Sequence, residues 1–375
     1  MTLILVLVIL GQAGPITGLP FAKETPPWHR EGNTGIQYRE SSILLQEKES
    51  GPVEARLGFR ATKILAVSAA NGSHVFAPSE YQVSKDQRGL IFAKSACVPV
   101  ISGKDLFPAP GSPNSYKHRV GHPEQNMLYG PGRWFHDRQV EVTYETDEPW
   151  IGTKVGLPKD SLPNTMAKLR AKKEVRIGIS GDSISTGLDA SALVKAPPMQ
   201  KGYPDLVAAD LERAFGTKVV LTNRAVSGTS ITFGLADWPK LVESKPDLVI
   251  VAYGMNDVGR RDPKWFGDRV REFVARIKKD LPEAEIILVS SMLGNKEWIH
   301  TPAEMFGAYR DQLLALRGPG VAIADVTSVW AHLLTHKHSH DLTGNGLNHP
   351  NDFGHRLYAW AVLAQFPLQN KETSP

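Results

Sequence analysis

The 375-residue chain has a single cysteine, Cys97, so no disulfide can form within it. No second thiol completes a redox or zinc pattern either. Cys97 is therefore expected to pack as a small apolar side chain. An excess of charge of one sign is also lacking, since 43 Lys and Arg against 39 Asp and Glu leave a formal charge of +4. The strongest basic run, Lys168-Leu-Arg-Ala-Lys-Lys173, is short and reads as a solvated helix face. Without basic clusters interleaved with aromatics, nothing points to a nucleic-acid partner. No apolar run is long enough to span a bilayer. The longest, Met1 to Leu10, has the length of a signal peptide's hydrophobic region, although no basic residue precedes it. It leads into Gly11-Gln12-Ala13, a small-residue cleavage pattern. The expectation is a signal peptide over residues 1–13 and a secreted or periplasmic mature chain.

What remains is a composition suited to a large core, with 41% hydrophobic and 22% charged residues. The length suggests two domains or one large one. Residues 14–41 are rich in Pro, Gly and charge and read as a leader. From 42 to 146 the signals are short strands between turns, such as Ala61 to Val67 and Arg88 to Ala93. Gln139-Val-Glu-Val-Thr-Tyr144 alternates apolar and polar residues, as a half-buried strand does. A small β-sandwich is expected there, interrupted by a long polar loop from Pro108 to Gln125. A linker follows over 147–173.

The pattern then changes over residues 174–369. Five short apolar strands begin near Val175, Lys218, Asp247, Glu285 and Val321 and alternate with helix-period segments. One such segment has Phe266, Val270, Phe273, Val274, Ile277 and Leu281 on a single face. Another opens with Thr301-Pro-Ala-Glu304, which reads as a capping box. Strands alternating with helices predict an α/β/α three-layer unit around a five-stranded parallel sheet. Sites in such sheets form at the carboxyl ends of the strands.

Those strand ends carry Gly181-Asp182-Ser183, Asn223-Arg-Ala-Val-Ser-Gly228 and Gly254-Met-Asn256-Asp257, and the last helix follows Asn348-His349-Pro350-Asn351-Asp352. This order of blocks resembles the SGNH (GDSL) hydrolase superfamily over about residues 174–367. The Gly-x-Ser-x-Gly elbow of the larger α/β-hydrolases is absent around Ser183. The resemblance implies a serine esterase with Ser183 as nucleophile and His349 as base. It places the oxyanion hole at Ser183, Gly228 and Asn256, and makes Asp182 and Asp257 supports for the loops. The chemistry asks for the same set: a hydroxyl, a base to take its proton, and donors aimed at the oxyanion. With Pro350 read as the first residue of the last helix, His349 sits at its cap, facing the cleft. His355, in the literal Asp352-x-x-His355, falls inside that helix, so His349 is the better placed base.

The family's acid lies three residues before its histidine, and that position here is Gly346. Asp341 is the nearest upstream carboxylate and is the candidate acid. The alternative is a Ser–His dyad whose imidazole is held by a backbone carbonyl. His332, His336, His338 and His340 have spacings compatible with a metal, but the resembled family needs none, and neither metal nor cofactor is expected. The two-part layout resembles that of two-domain carbohydrate esterases, which implies removal of acetyl or another small acyl group from an acylated carbohydrate. Two other readings stay open: a lipase or thioesterase for longer chains, and a carbohydrate-binding protein with a degenerate hydrolase domain.

Overall fold

The computed structural model describes residues 35–93, 97–151 and 161–366. The expected signal peptide lies outside the described residues, as do residues 152–160 of the expected linker, whose later part holds a helix over Pro163–Arg170. The first part of the chain is rich in short strands: β1 (Gly35–Ile43), β2 (Leu45–Gln46), β3 (Val53–Arg56), β4 (Lys63–Ala69), β5 (Tyr81–Val83), β6 (Gly89–Phe92), β7 (Ile101–Ser102), β8 (Ser115–Tyr116), β9 (Met127–Leu128) and β10 (Gln139–Thr146). They form a three-stranded antiparallel sheet, β1-β10-β4, a five-stranded sheet, β5-β6-β3-β2-β7, and the β8-β9 ribbon. Strand β1 takes in residues 35–41, which composition had assigned to the leader. Its Gln37, Glu40, Ser41 and Ser42 are polar yet buried, so no apolar pattern marks it. Cys97 is exposed rather than packed.

The second part begins with α1 (Pro163–Arg170) and continues as β11 (Val175–Gly181), α2 (Tyr203–Phe215), β12 (Val219–Asn223), α3 (Ile231–Leu241), β13 (Leu248–Ala252), α4 (Pro263–Asp280), β14 (Glu285–Val289), α5 (Ala303–Leu314), β15 (Val321–Ala324), α6 (Val326–Leu333), α7 (Ser339–Leu342) and α8 (Asp352–Leu363). The five strands are all parallel, in the order β12-β11-β13-β14-β15. Strands β13 and β14 are buried throughout, as expected of a sheet covered on both faces. Because β11 has β12 on one side and β13 on the other, the strand order reverses there, and a crevice opens at their carboxyl ends.

The two parts share one continuous apolar core. Strand β10 was read as half-exposed, but six of its eight residues are buried. Its polar face meets the α/β part instead of water. Gln139 Nε2 donates to the carbonyls of His340 and Thr343, at 2.9 Å each, and Glu141 lies 3.9 Å from Arg356 of α8. Nearby, Lys337 Nζ lies 2.8 Å from Glu40, both side chains fully buried. Such a pair adds little stability over an apolar one, but leaving either charge alone costs about 3–5 kcal/mol.

Two helix starts differ from the sequence pattern. Helix α5 begins at Ala303 with Pro302 as its cap, while Thr301 Oγ1 donates to Asn295 O and Glu304 pairs with Arg261. Helix α8 is capped by Asn351, whose side chain accepts from Gly354 N. Pro350 therefore precedes the helix, in an isolated bridge with Thr343.

Candidate active site

Ser183 follows β11 after the single residue Asp182, in a turn over residues 183–189 rather than the start of a helix. The chain can turn so sharply because residue 181 is glycine: a Cβ there would lie 2.3 Å from Ser185 Oγ. The turn is closed by Ser185 N and Thr186 N donating to Asp182 O, and Leu188 N to Ser183 O. Ser183 Oγ lies 3.0 Å from His349 Nε2. The imidazole arrives on the loop between α7 and α8, where Asn345 Oδ1 accepts from the backbone N–H groups of Leu347, Asn348 and His349.

The other imidazole nitrogen, Nδ1, lies 2.7 Å from Oδ2 of Asp189. Both side chains are largely buried, with relative exposures of 14% for His349 and 8% for Asp189. A carboxylate only accepts, so Nδ1 carries the proton and Nε2 is free to accept from Ser183. Serine, histidine and aspartate thus form one hydrogen-bonded relay able to move a proton off a hydroxyl.

The expected acid, Asp341, stands elsewhere. Its Oδ1 accepts from Ile43 N at 2.8 Å and Ser42 Oγ at 3.0 Å, and its Oδ2 from His338 N at 2.7 Å. It fastens α7 to β1 and does not touch His349. The Gly346 position carries no acid for a steric reason: a Cβ there would lie 2.7 Å from Leu128 O and 2.9 Å from Phe135 Cζ. Asp189 went unrecognised because it is an ordinary Asp in the turn after Ser183, far along the chain from His349. The available signal was a carboxylate close behind the serine in a chain whose usual acid position is glycine.

The literal Asp352-x-x-His355 pair also has a place. His355 Nε2 donates to Leu188 O at 3.1 Å, and its Nδ1 accepts from Tyr203 N at 3.3 Å. Burial pushes its imidazole down to about 4, so it stays neutral. Asp352 Oδ1 accepts from Ser191 N at 2.8 Å. Both residues hold the loop that presents Asp189.

Around the relay, neither Ser183 N–H nor Gly228 N–H donates to any acceptor among the described residues. An unpaired N–H at a residue as buried as Ser183 is uncommon and suits a donor waiting for a ligand. Gly228 has φ 77°, a left-handed conformation that favours glycine. Asn256 Nδ2 donates to Thr229 O at 2.8 Å, which ties β13's loop to β12's. Asp257 accepts from Ile231 N and Gly254 N, at 3.1 Å each, and Asp182 from Ile184 N at 3.0 Å. Burial pushes the two carboxyls up, Asp182 to about 7 and Asp257 to about 6.

Three of the four histidines near α6 and α7 have separate structural tasks. His332 packs on Trp150 with ring centroids 4.3 Å apart, His338 caps α7, and His340 stacks on Phe135. Among the described residues they form no group with converging ligand atoms.

One rim of the site is aromatic. Tyr129, Tyr116, Trp298, His300 and His118 make a chain of ring contacts with centroids 5.1–5.8 Å apart. Residues 115–129 come from the β-rich part and 298–300 from the loop after β14; Arg119 and Trp298 join them through an isolated bridge. Both arms bond the loop of His349: Gly130 N donates to Asn345 O at 3.1 Å, and Asn295 Nδ2 to Gly346 O at 3.0 Å.

Residues 179–357 match the model of the GDSL-like lipase/acylhydrolase family. No curated protein matches the chain. Among solved structures, the chain is similar to a two-domain esterase active on acetylated mannans, with 20% identity and a TM-score of 0.43 over 54% of this chain and 51% of that one. It thus spans about half the length of that esterase. An acetylxylan esterase from Geobacillus stearothermophilus gives 19% identity and a TM-score of 0.43, covering 54% of this chain and all of the other. An α/β hydrolase from the metagenome of Lake Arreo, Spain, gives 25% and 0.40, over 51% and 94%. The block order, the strand ends that carry it and the family match agree: over residues 179–357 the α/β part of this chain is similar to a GDSL-like lipase/acylhydrolase domain.

Proposed function

We propose that the protein is an exported serine esterase that removes acetyl, or another small acyl group, from an acylated carbohydrate. The Ser183–His349–Asp189 relay carries this reading. In the first half-reaction His349 takes the Ser183 proton as Oγ attacks the ester carbonyl. The tetrahedral oxyanion is received by Ser183 N–H and Gly228 N–H, with Asn256 Nδ2 beside them. Each such donor is worth roughly 3–4 kcal/mol in the transition state. His349 then returns its proton to the departing sugar hydroxyl, leaving an acyl-serine. A water activated by the same imidazole releases the acid. The Asp189 carboxylate fixes the tautomer and stabilises the transient imidazolium.

The aromatic rim favours a sugar over an aliphatic chain, because flat rings stack on the C–H faces of pyranoses while their polar edges meet hydroxyls. The Tyr116 and Tyr129 hydroxyls have no partner among the described residues. No helix among the described residues is long and apolar enough to cross a membrane, and export rests on the apolar N-terminal run.

Acetate release should be measured across acetylated polysaccharides, alongside p-nitrophenyl esters of increasing chain length. Acetyl esters should be the faster substrates. Tyr116→Ala and Trp298→Ala should raise KM for acetylated oligosaccharides while leaving p-nitrophenyl acetate unchanged. Faster cleavage of octanoyl esters, with no release from any polysaccharide, would move the assignment to a lipase.

A further inference from the structure

We propose that the β-rich part belongs to the catalytic apparatus, with His136 as the positioning residue that holds Asp189 against His349. The inference rests on the relay reading given above.

Asp189 has φ 62°, in the left-handed region. A residue with a side chain keeps that conformation only where its surroundings over-determine it. Three hydrogen bonds do so here. On either side of the kink, Leu188 O accepts from His355 Nε2 and Ser191 N donates to Asp352 Oδ1, both partners lying on α8. At the kink itself, Asp189 O accepts from His136 Nε2 at 2.9 Å. His136 is 1% exposed and is the one partner contributed by the β-rich part. Since a carbonyl can only accept, Nε2 of His136 must carry a proton, and the bond survives in either charge state of the ring.

The segment around His136 reaches the base as well as the acid. Gly130 N donates to Asn345 O, and Leu128 and Phe135 pack against Gly346, in the loop that carries His349. The backbone of Asp189 also lies on Gly344, where a Cβ would come within 2.8 Å of Asp189 Cβ and O. Residues 128–136 thus exclude a side chain from position 346, where the family's acid would stand. The same residues fasten the carboxylate that takes its place. Removal of His136 frees the Asp189 carbonyl and lets φ relax, which withdraws the carboxylate from Nδ1 without touching the substrate.

The test is steady-state hydrolysis of p-nitrophenyl acetate by full-length His136→Leu, His136→Gln, Asp189→Asn and the His136→Leu/Asp189→Asn double variant. Folding is checked by cooperative thermal melting. His136→Leu should lower kcat on the order of a hundredfold with KM little changed, the scale of loss from about an ångström of misplacement. His136→Gln, which keeps a donor at similar reach, should recover most of that loss. The double variant should be no slower than Asp189→Asn alone, since His136 acts only through Asp189. If His136→Leu does not fold, His136→Gln and Gly344→Ala take over the decision: the first should stay near wild type and the second should lower kcat alone. Wild-type kcat in folded His136→Leu, or losses that multiply in the double variant, overturns the positioning role. If Asp189→Asn itself is fully active, it is the relay reading that fails.

Discussion

Replacing Asp189 by Asn preserves the volume of the side chain and removes the charge that faces His349. The pair is 2.7 Å apart and mostly shielded from water. At an effective dielectric constant of about 20, unit charges 4 Å apart attract by about 4 kcal/mol. Losing that stabilisation of the imidazolium corresponds to about a thousandfold in rate. The surroundings make the change worse. Asn345 Nδ2 already lies 3.0 Å from His349 Nδ1, donating meanwhile to Asn348 Oδ1 at 3.1 Å. Once the carboxylate is gone, that amide, and the new one at 189, can donate to a bare Nδ1. The proton then sits on Nε2, which can no longer accept from Ser183, and the loss approaches ten-thousandfold. The assay is kcat on p-nitrophenyl acetate with a melting curve on the same sample. A folded variant within tenfold of wild type would refute the assignment of Asp189 as the acid and return the mechanism to a Ser–His dyad.

Three other outcomes are expected. Asp341→Asn should keep kcat within a few fold while lowering unfolding free energy by about 1–3 kcal/mol, because it weakens the bonds to Ile43 N, Ser42 Oγ and His338 N; a thousandfold loss of kcat without destabilisation would contradict the structure. Asp182 is held near 7 in the folded protein by burial against an ordinary 3.8, so the folded state binds more protons between those values and stability falls as pH rises through that window. Asp182→Asn removes the penalty, and its melting temperature relative to wild type should be several degrees more favourable at pH 8 than at pH 5; an equal difference at both would show that the carboxyl does not titrate there. Lys337→Met strands the buried Glu40 carboxylate and should cost about 3–5 kcal/mol, read by urea denaturation, with loss of less than 1 kcal/mol counting against the ion pair's burial.

The fold of the α/β part was legible because its signals are local. Buried parallel strands read as apolar runs, and α4 shows its core face through Phe266, Val270, Phe273 and Ile277. Ser183, Gly228 and Asn256 could be picked out because each lies in the loop within five residues of its strand's end, and His349 because it closely precedes the last helix. Strand β1 was illegible for the opposite reason. Four of its buried residues, Gln37, Glu40, Ser41 and Ser42, are polar, and Glu40 is paired with Lys337, some three hundred positions away.

The sequence by itself determined the parallel sheet and the strand ends that meet at its reversal, and it singled out Ser183 and His349 as the candidate nucleophile and base. Only the tertiary structure brought Asp189, the proposed acid, to His349. A carboxylate is selected by which one lies within 3 Å of Nδ1, and that depends on the left-handed turn at Asp189, the empty space at Gly344 and the packing of Phe135 on Gly346. None of these leaves a periodic trace in the chain, because each is a contact between segments that meet only after folding.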